Sequence, residues 1–204
     1  MDTVYSDITN LSRYSHIFWE VQEIIQNNSK IQKPSSFYEF LGQSYIAYVL
    51  IGIRRQIKID RDSISFARLL KEIIDTPEIL SRERFIEHYQ GTPIKHHADE
   101  DFDKFAGCRG KHVDPSIVKK DLEKLQQTAK ILEDYADKMI AHLDKRKPAV
   151  VPTFKDVDEC IDFLEKLLKK YHLLIKCEAL TSILPSYLYD WKAVFYEPWI
   201  QKDT

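Results

Sequence analysis

The chain reads as an all-α protein on three observations. Apolar residues recur every three to four positions along nearly its whole length, and strict apolar-polar alternation is almost absent. Only five of its 204 residues are glycine, well below the usual share of about 7%. The spacing predicts amphipathic helices, and the glycine content argues against a sandwich, a barrel or a dinucleotide-binding fold. The expected architecture is an up-and-down helical bundle with a long antiparallel helix hairpin, formed as a single domain over residues 1–204. A chain of this length buries about 70% of its unfolded surface, so a core can form without disulfides or metal.

A first helix is predicted over about 7–28, with Ile17, Val21, Ile24 and Ile25 on its apolar side. The polar stretch from Asn27 to Pro34 ends it, and Ser35 or Ser36 can cap a second helix over about 35–57. That helix carries Phe37, Phe40, Leu41, Tyr45, Tyr48, Val49 and Ile53 and is apolar on most sides over its second half, which places it in the middle of the bundle. Asp62 or Ser63 can cap a third helix whose Phe66, Leu69, Leu70, Ile73 and Ile74 face inward, and Pro77 stops it. A fourth, short helix runs to about 90, and an irregular acidic stretch follows over about 91–113.

Asp114-Pro115 is a helix start, because proline at the first helical position gives up no needed donor. In the fifth helix, to about Lys145, the residues Val118, Leu122, Leu125, Ala129, Leu132, Ala136, Met139 and Leu143 keep the four-three rhythm of a heptad seam. Lys147-Pro148 and Pro152 make a rigid connector, and Thr153 with Asp156 forms a capping-box start to a sixth helix. Its Val157, Ile161, Leu164, Leu168, Tyr171 and Ile175 repeat the rhythm, so the two helices are expected to pack as the antiparallel hairpin. The tail over 186–204 is rich in aromatic residues and is expected to fold back on the bundle, because large apolar patches are rarely left exposed.

Thirty basic and 32 acidic residues give a net charge of −2, which argues against coating nucleic acid or membrane by bulk charge and leaves room for a local basic patch. Three cysteines without a CxxC pair read as reduced thiols, and neither a secretory leader nor an apolar run of membrane-spanning length is visible, so a cytoplasmic protein with no membrane partner is expected.

Chemistry can reside in the segment from Tyr135 to Arg146. On a 3.6-residue repeat, Tyr135, Lys138, His142, Lys145 and Arg146 share one flank of the fifth helix. Neighbouring cations favour a neutral imidazole and the helix C-terminus a charged one. A neutral His142 can take the proton of a ribose 2′-hydroxyl while Lys138, Lys145 and Arg146 hold phosphate. The plainer alternative is that His142 caps the helix end and the cations pair with Asp137 and Asp144 or are solvated. A second basic group, Arg54, Arg55, Lys58 and Arg61, either lines a nucleic-acid groove or sits favourably at a helix C-terminus. The loop residues His88, His96, His97, Asp99, Asp101, Asp103, Cys108 and His112 are metal-ligand types, but their spacing fits no ligand pattern and a solvated acidic loop is expected, with no metal and no cofactor. Exposed together, the tail aromatics would suit base stacking or a protein contact.

The run Asp137-Lys138-Met139-Ile140-Ala141-His142-Leu143-Asp144, near the end of one long helix and followed by another, resembles the histidine motif of the HEPN superfamily, in particular its abortive-infection, AbiU-type branch. Arg54-Arg55 at the end of the second helix, the stretch from Asp60 to Leu70, and Asp190-Trp191 and Pro198-Trp199 in the tail extend the likeness over most of the chain. The resemblance implies a helical bundle that forms a homodimer. It also implies RNA binding or metal-independent RNA cleavage in a defence or toxin-antitoxin setting, with an antitoxin or other defence partner. The family signature is an arginine, four to six intervening residues and then the histidine; here the positions open to the arginine are Tyr135, Ala136 and Asp137. Lys138 is the only nearby cation within the motif, and a lysine cannot offer the forked contact of a guanidinium. His142 is the expected catalytic base, with Lys138, Lys145, Arg146, Arg54 and Arg55 on phosphate and Asp137, Asp144 and Tyr135 in support. The alternative is a non-catalytic dimeric interaction module of the same fold. A weaker alternative is a metal-dependent hydrolase that uses the 96–112 loop.

Overall fold

The computed structural model describes residues 1–141 and 145–199. Among them are seven α-helices and no strand: α1 (Asp2–Gln26), α2 (Ser36–Ile57), α3 (Phe66–Asp75), α4 (Arg82–Tyr89), α5 (Ala98–Ala106), α6 (Pro115–Tyr135) and α7 (Phe154–Lys176). A π-helical segment, Ala136–Ala141, continues α6 directly.

α6 packs against α2, α3 and α7, and α1 closes the other side of the α2 and α7 pair. Cross-contacts fix the directions. Asp121 near the start of α6 accepts hydrogen bonds from Lys170 Nζ (2.6 Å) and Tyr171 Oη (2.7 Å) near the end of α7, so the two helices form the expected antiparallel hairpin. Burial and the neighbouring Asp121 both push the Tyr171 phenol well above its ordinary value, so it stays protonated and keeps donating. α1 likewise runs against α7: its Tyr5 ring lies beside His172, and its Trp19 indole donates to Asp158. The seam residues Val118, Leu122, Leu125, Ala129 and Leu132 are buried against Val157, Ile161, Leu164, Leu168 and Tyr171 in a continuous apolar core.

The helix starts follow from local chemistry. Ser35 accepts the Phe37 amide at the head of α2, and Asp114 accepts the Ser116 amide with Pro115 at the first position of α6. Thr153 and Asp156 form a reciprocal capping box on α7, with the Asp156 amide donating to Thr153 Oγ1 and the Thr153 amide to the Asp156 carboxylate. Bonds from the Thr153 hydroxyl and amide hold the Asp156 carboxyl below its ordinary value of 3.8. A carboxyl depressed in the folded state contributes stability above that ordinary value and loses it as pH falls through the folded one. Thr153→Ala is therefore expected to cost about 1 kcal/mol in urea denaturation near neutral pH, and less in strong acid.

Four details depart from the expectations. The stretch over 91–113 is not one irregular loop: α5 occupies its middle, with Ala98, Phe102 and Phe105 buried at helical spacing beneath the acidic residues. α3 is capped by Ser65, which accepts the Arg68 amide, and not by Asp62 or Ser63. α1 begins at Asp2 and buries Val4, Ile8, Leu11, Ser12, Ser15 and Phe18, while Ile17, Val21, Ile24 and Ile25 are only half-buried. That seam mixes bulky side chains with Ser12 and Ser15. A Cβ added at Gly52 of α2 would meet the Leu11 side chain at 2.5 Å, so glycine there permits the close crossing of α1 and α2. Finally, Met139 is 42% exposed and does not continue the α6 seam. The i to i+5 turn of the π segment carries the chain further per turn than the heptad spacing assumes, and the seam ends at Ala136.

The tail touches the bundle at separate points: the Tyr187 ring stacks on His16, Lys192 pairs with Glu20, and Trp199 meets Phe37 edge to face. Leu188, Tyr189 and Tyr196 remain exposed. No helix among the described residues is long and apolar enough to cross a membrane.

Candidate nucleic-acid site

Two helix ends meet where the sequence concentrates its cations. The last turn of α2 carries Arg54 and Arg55, with Lys58 at its C-cap; the end of α6 and the π segment carry Glu133, Asp134, Asp137 and Lys138. α2 runs antiparallel to α6 here, so residues four apart on one helix face residues four apart on the other. Arg54 Nε donates to the Asp137 carboxylate, and Lys58 Nζ lies 3.0 Å from Glu133 Oε1. Arg55 extends the other way, to Asp7 of α1 at 3.5 Å. Lys138 turns back along its own helix to Asp134 at 2.7 Å.

The predicted flank of Tyr135, Lys138, His142, Lys145 and Arg146 assumed an unbroken 3.6-residue repeat, which the π winding replaces from Ala136 onward. Tyr135 is half-buried and packs against the core, Lys145 is exposed, and Arg146 is engaged in an interaction of its own. His142 and Asp144 lie outside the described residues. The structure thus brings together Arg54, Asp137 and Lys138, and sets Arg55 beside them. Lys58 completes the row of α2 cations. The pairings with Asp7 and Glu133 could not be read from spacing, because they depend on helix packing; only Asp134-Lys138, at i,i+4, was visible in the sequence.

The site can engage phosphate in a specific way. A guanidinium held through Nε keeps its two terminal nitrogens for a second acceptor, and the anchoring carboxylate fixes the plane of the fork. Arg54 is such a residue: among the described residues its partner is Asp137, and its side chain lines an open groove of about 430 Å³ together with Arg55, Lys58, Asp60, Ser63 and Ile64. Arg55, Lys58 and Lys138 each face one carboxylate, so the local field is that of ordered, partly neutralised cations.

The acidic loop does not assemble a metal site. Arg82 engages Asp99 and Asp103, while Tyr89 and Lys104 both donate to Asp101. Among the described residues no group of three or more histidine, cysteine, aspartate or glutamate side chains is arranged to hold a metal ion.

The all-helical bundle agrees with the HEPN-like fold that the sequence resemblance implies. A family model for AbiU2, of the HEPN class, matches residues 5–193, and the chain belongs to that family of abortive-infection-associated proteins. No curated protein and no solved structure matches the chain significantly.

Proposed function

We propose that this AbiU2-family chain acts on RNA during abortive infection, cleaving the backbone without a metal. His142 takes the proton of a ribose 2′-hydroxyl, and the 2′-oxygen attacks the adjacent phosphorus. The bond from phosphorus to the 5′-oxygen breaks, leaving a 2′,3′-cyclic phosphate and a 5′-hydroxyl that regains a proton from the imidazolium or from water. Arg54, with Lys138, Lys145 or Arg146, holds the phosphate as charge develops on its oxygens. A homodimer and a cognate antitoxin or other defence partner belong to the same proposal.

One observation carries this reading. The position five residues before His142, where the family signature allows its arginine, is Asp137, and Asp137 binds the guanidinium of Arg54. The cation missing from the motif is supplied by α2. The π winding of Ala136–Ala141 adds support, because π turns are rare and recur at functional sites.

A second reading, a non-catalytic dimeric interaction module, is favoured by the carboxylate opposite each of Arg54, Arg55, Lys58 and Lys138. Incubating purified protein with a mixed RNA pool separates the two. Cleavage leaving 2′,3′-cyclic phosphate ends, lowered roughly 100-fold by Arg54→Ala and rescued only in part by Arg54→Lys, supports the nuclease. An intact pool at excess protein supports the module.

A further inference from the structure

The groove beside Arg54 contains more than cations. Its lining is Arg54, Arg55, Lys58, Asp60, Ser63 and Ile64, so one small concavity offers three positive groups, one carboxylate, one hydroxyl and one apolar side chain. Each cation is already bonded to a carboxylate on another element: Arg54 to Asp137, Arg55 to Asp7, Lys58 to Glu133. None of them is bonded to Asp60, whose carboxylate has no partner among the described residues. The connector after α2 holds this arrangement through its backbone, with the Ser63 amide donating to the Asp60 carbonyl at 3.0 Å. Ile64 is 69% exposed at the rim, although the neighbouring Ser65 and Phe66 are buried.

A groove made for a bare anion would gain nothing from Asp60, which repels phosphate. A carboxylate is favourable only if the ligand presents a hydrogen-bond donor close to its negative charge. A ribonucleotide does so: its 2′-hydroxyl lies one sugar away from the phosphate and is the group by which proteins tell RNA from DNA. Its sugar and base also offer an apolar face to Ile64.

We propose that this groove is a ribonucleotide subsite for single-stranded RNA, in which Arg55 and Lys58 take phosphate oxygens while Asp60, assisted by Ser63, accepts the ribose 2′-hydroxyl. The inference rests on the RNA reading above and adds a specificity to it: the chain selects RNA over DNA before any chemistry. Asp60 here is a binding residue, not a catalytic one.

The test is fluorescence anisotropy with labelled 12-nucleotide single strands of one sequence, as RNA and as DNA, against the wild-type chain, Asp60→Ala and Ser63→Ala. Wild-type protein is expected to bind the RNA roughly tenfold more tightly than the DNA, as one hydrogen bond to a charged acceptor provides. Asp60→Ala is expected to bring the ratio close to one by weakening RNA while leaving DNA unchanged or slightly tighter, since a negative charge has gone. Ser63→Ala is expected to reduce the ratio less. A merely electrostatic role for Asp60 would tighten both strands together and overturn the proposal. Equal binding of RNA and DNA by the wild type overturns the subsite and leaves the RNA reading standing, whereas binding of neither strand overturns both. If a polyglutamate peptide displaces the RNA as well as unlabelled RNA does, the groove is an acidic-peptide site and the proposal fails.

Discussion

His142→Ala is expected to lower RNA cleavage by a factor of about 10² to 10⁴, the range that a positioned general base contributes. The expectation follows from the residue types around it. Without a base, the 2′-hydroxyl is a poor nucleophile, and none of Lys138, Lys145 and Arg146 can replace an imidazole, because cationic side chains have no lone pair to accept the proton. His142→Ala and Arg54→Ala should therefore fail differently. The first removes the proton acceptor and leaves RNA binding close to wild type, as a filter-binding curve would report. The second weakens both binding and cleavage, because the guanidinium contacts phosphate before and during the reaction. Cleavage by His142→Ala at the wild-type rate, with unchanged product ends, would remove the imidazole from the mechanism and assign the proton transfer to another group.

Arg82→Ala is expected to be the most damaging substitution of a charged side chain. Arg82 opens α4, its side chain is 16% exposed, and its nitrogens donate to Asp99, Asp103 and the carbonyls of Gly107 and Gly110. Its guanidinium also lies over the Phe102 ring. One side chain thereby fastens α4, α5 and the loop after α5. Hydrogen bonds to charged groups contribute about 1.5 to 3 kcal/mol each when one partner is removed, and these are partly exposed and not independent, so a total of roughly 2 to 4 kcal/mol is expected. For a chain of this length that lowers Tm by roughly 5 to 15 °C in a thermal melt. Lys104→Ala, which removes only an exposed pair with Asp101, should shift it by a degree or two at most. The pH dependence has a defined sign. Arg82 holds the Asp103 carboxyl below its ordinary value of 3.8, so this contribution is complete above that pH and is lost as the solution becomes more acidic. The gap between wild type and Arg82→Ala should therefore narrow in acid.

The helical class was legible because burial leaves a periodic trace, and the α6 and α7 seams show it in Leu125 and Leu164 alike. The helix starts were legible at Asp114-Pro115 and Thr153, where capping is chemistry between near neighbours. α5 was hidden because Asp99, Glu100, Asp101 and Asp103 outnumber the apolar residues between them, and only the 98, 102, 105 spacing marked the buried side. The inner face of α1 was misplaced because Ser12 and Ser15 interrupt its apolar spacing between Val4, Ile8, Leu11 and Phe18, and because the crossing with α2 depends on Gly52 opposite Leu11. At the candidate site the residue types were visible in the sequence, but the pairing of Arg54 with Asp137 joins positions 83 residues apart and depends wholly on how α2 lies against α6.

The winding of Ala136–Ala141 has a consequence for how the motif should be compared between proteins. On an ordinary α-helix two side chains five residues apart point about 140° away from each other, at 100° per residue. Where the helix widens they return to the same side. A count of residues between two motif positions therefore measures distance along the chain and says little about direction. Shortening this segment by a single residue would turn whatever follows it to another side of the bundle, even though every motif letter survived in order.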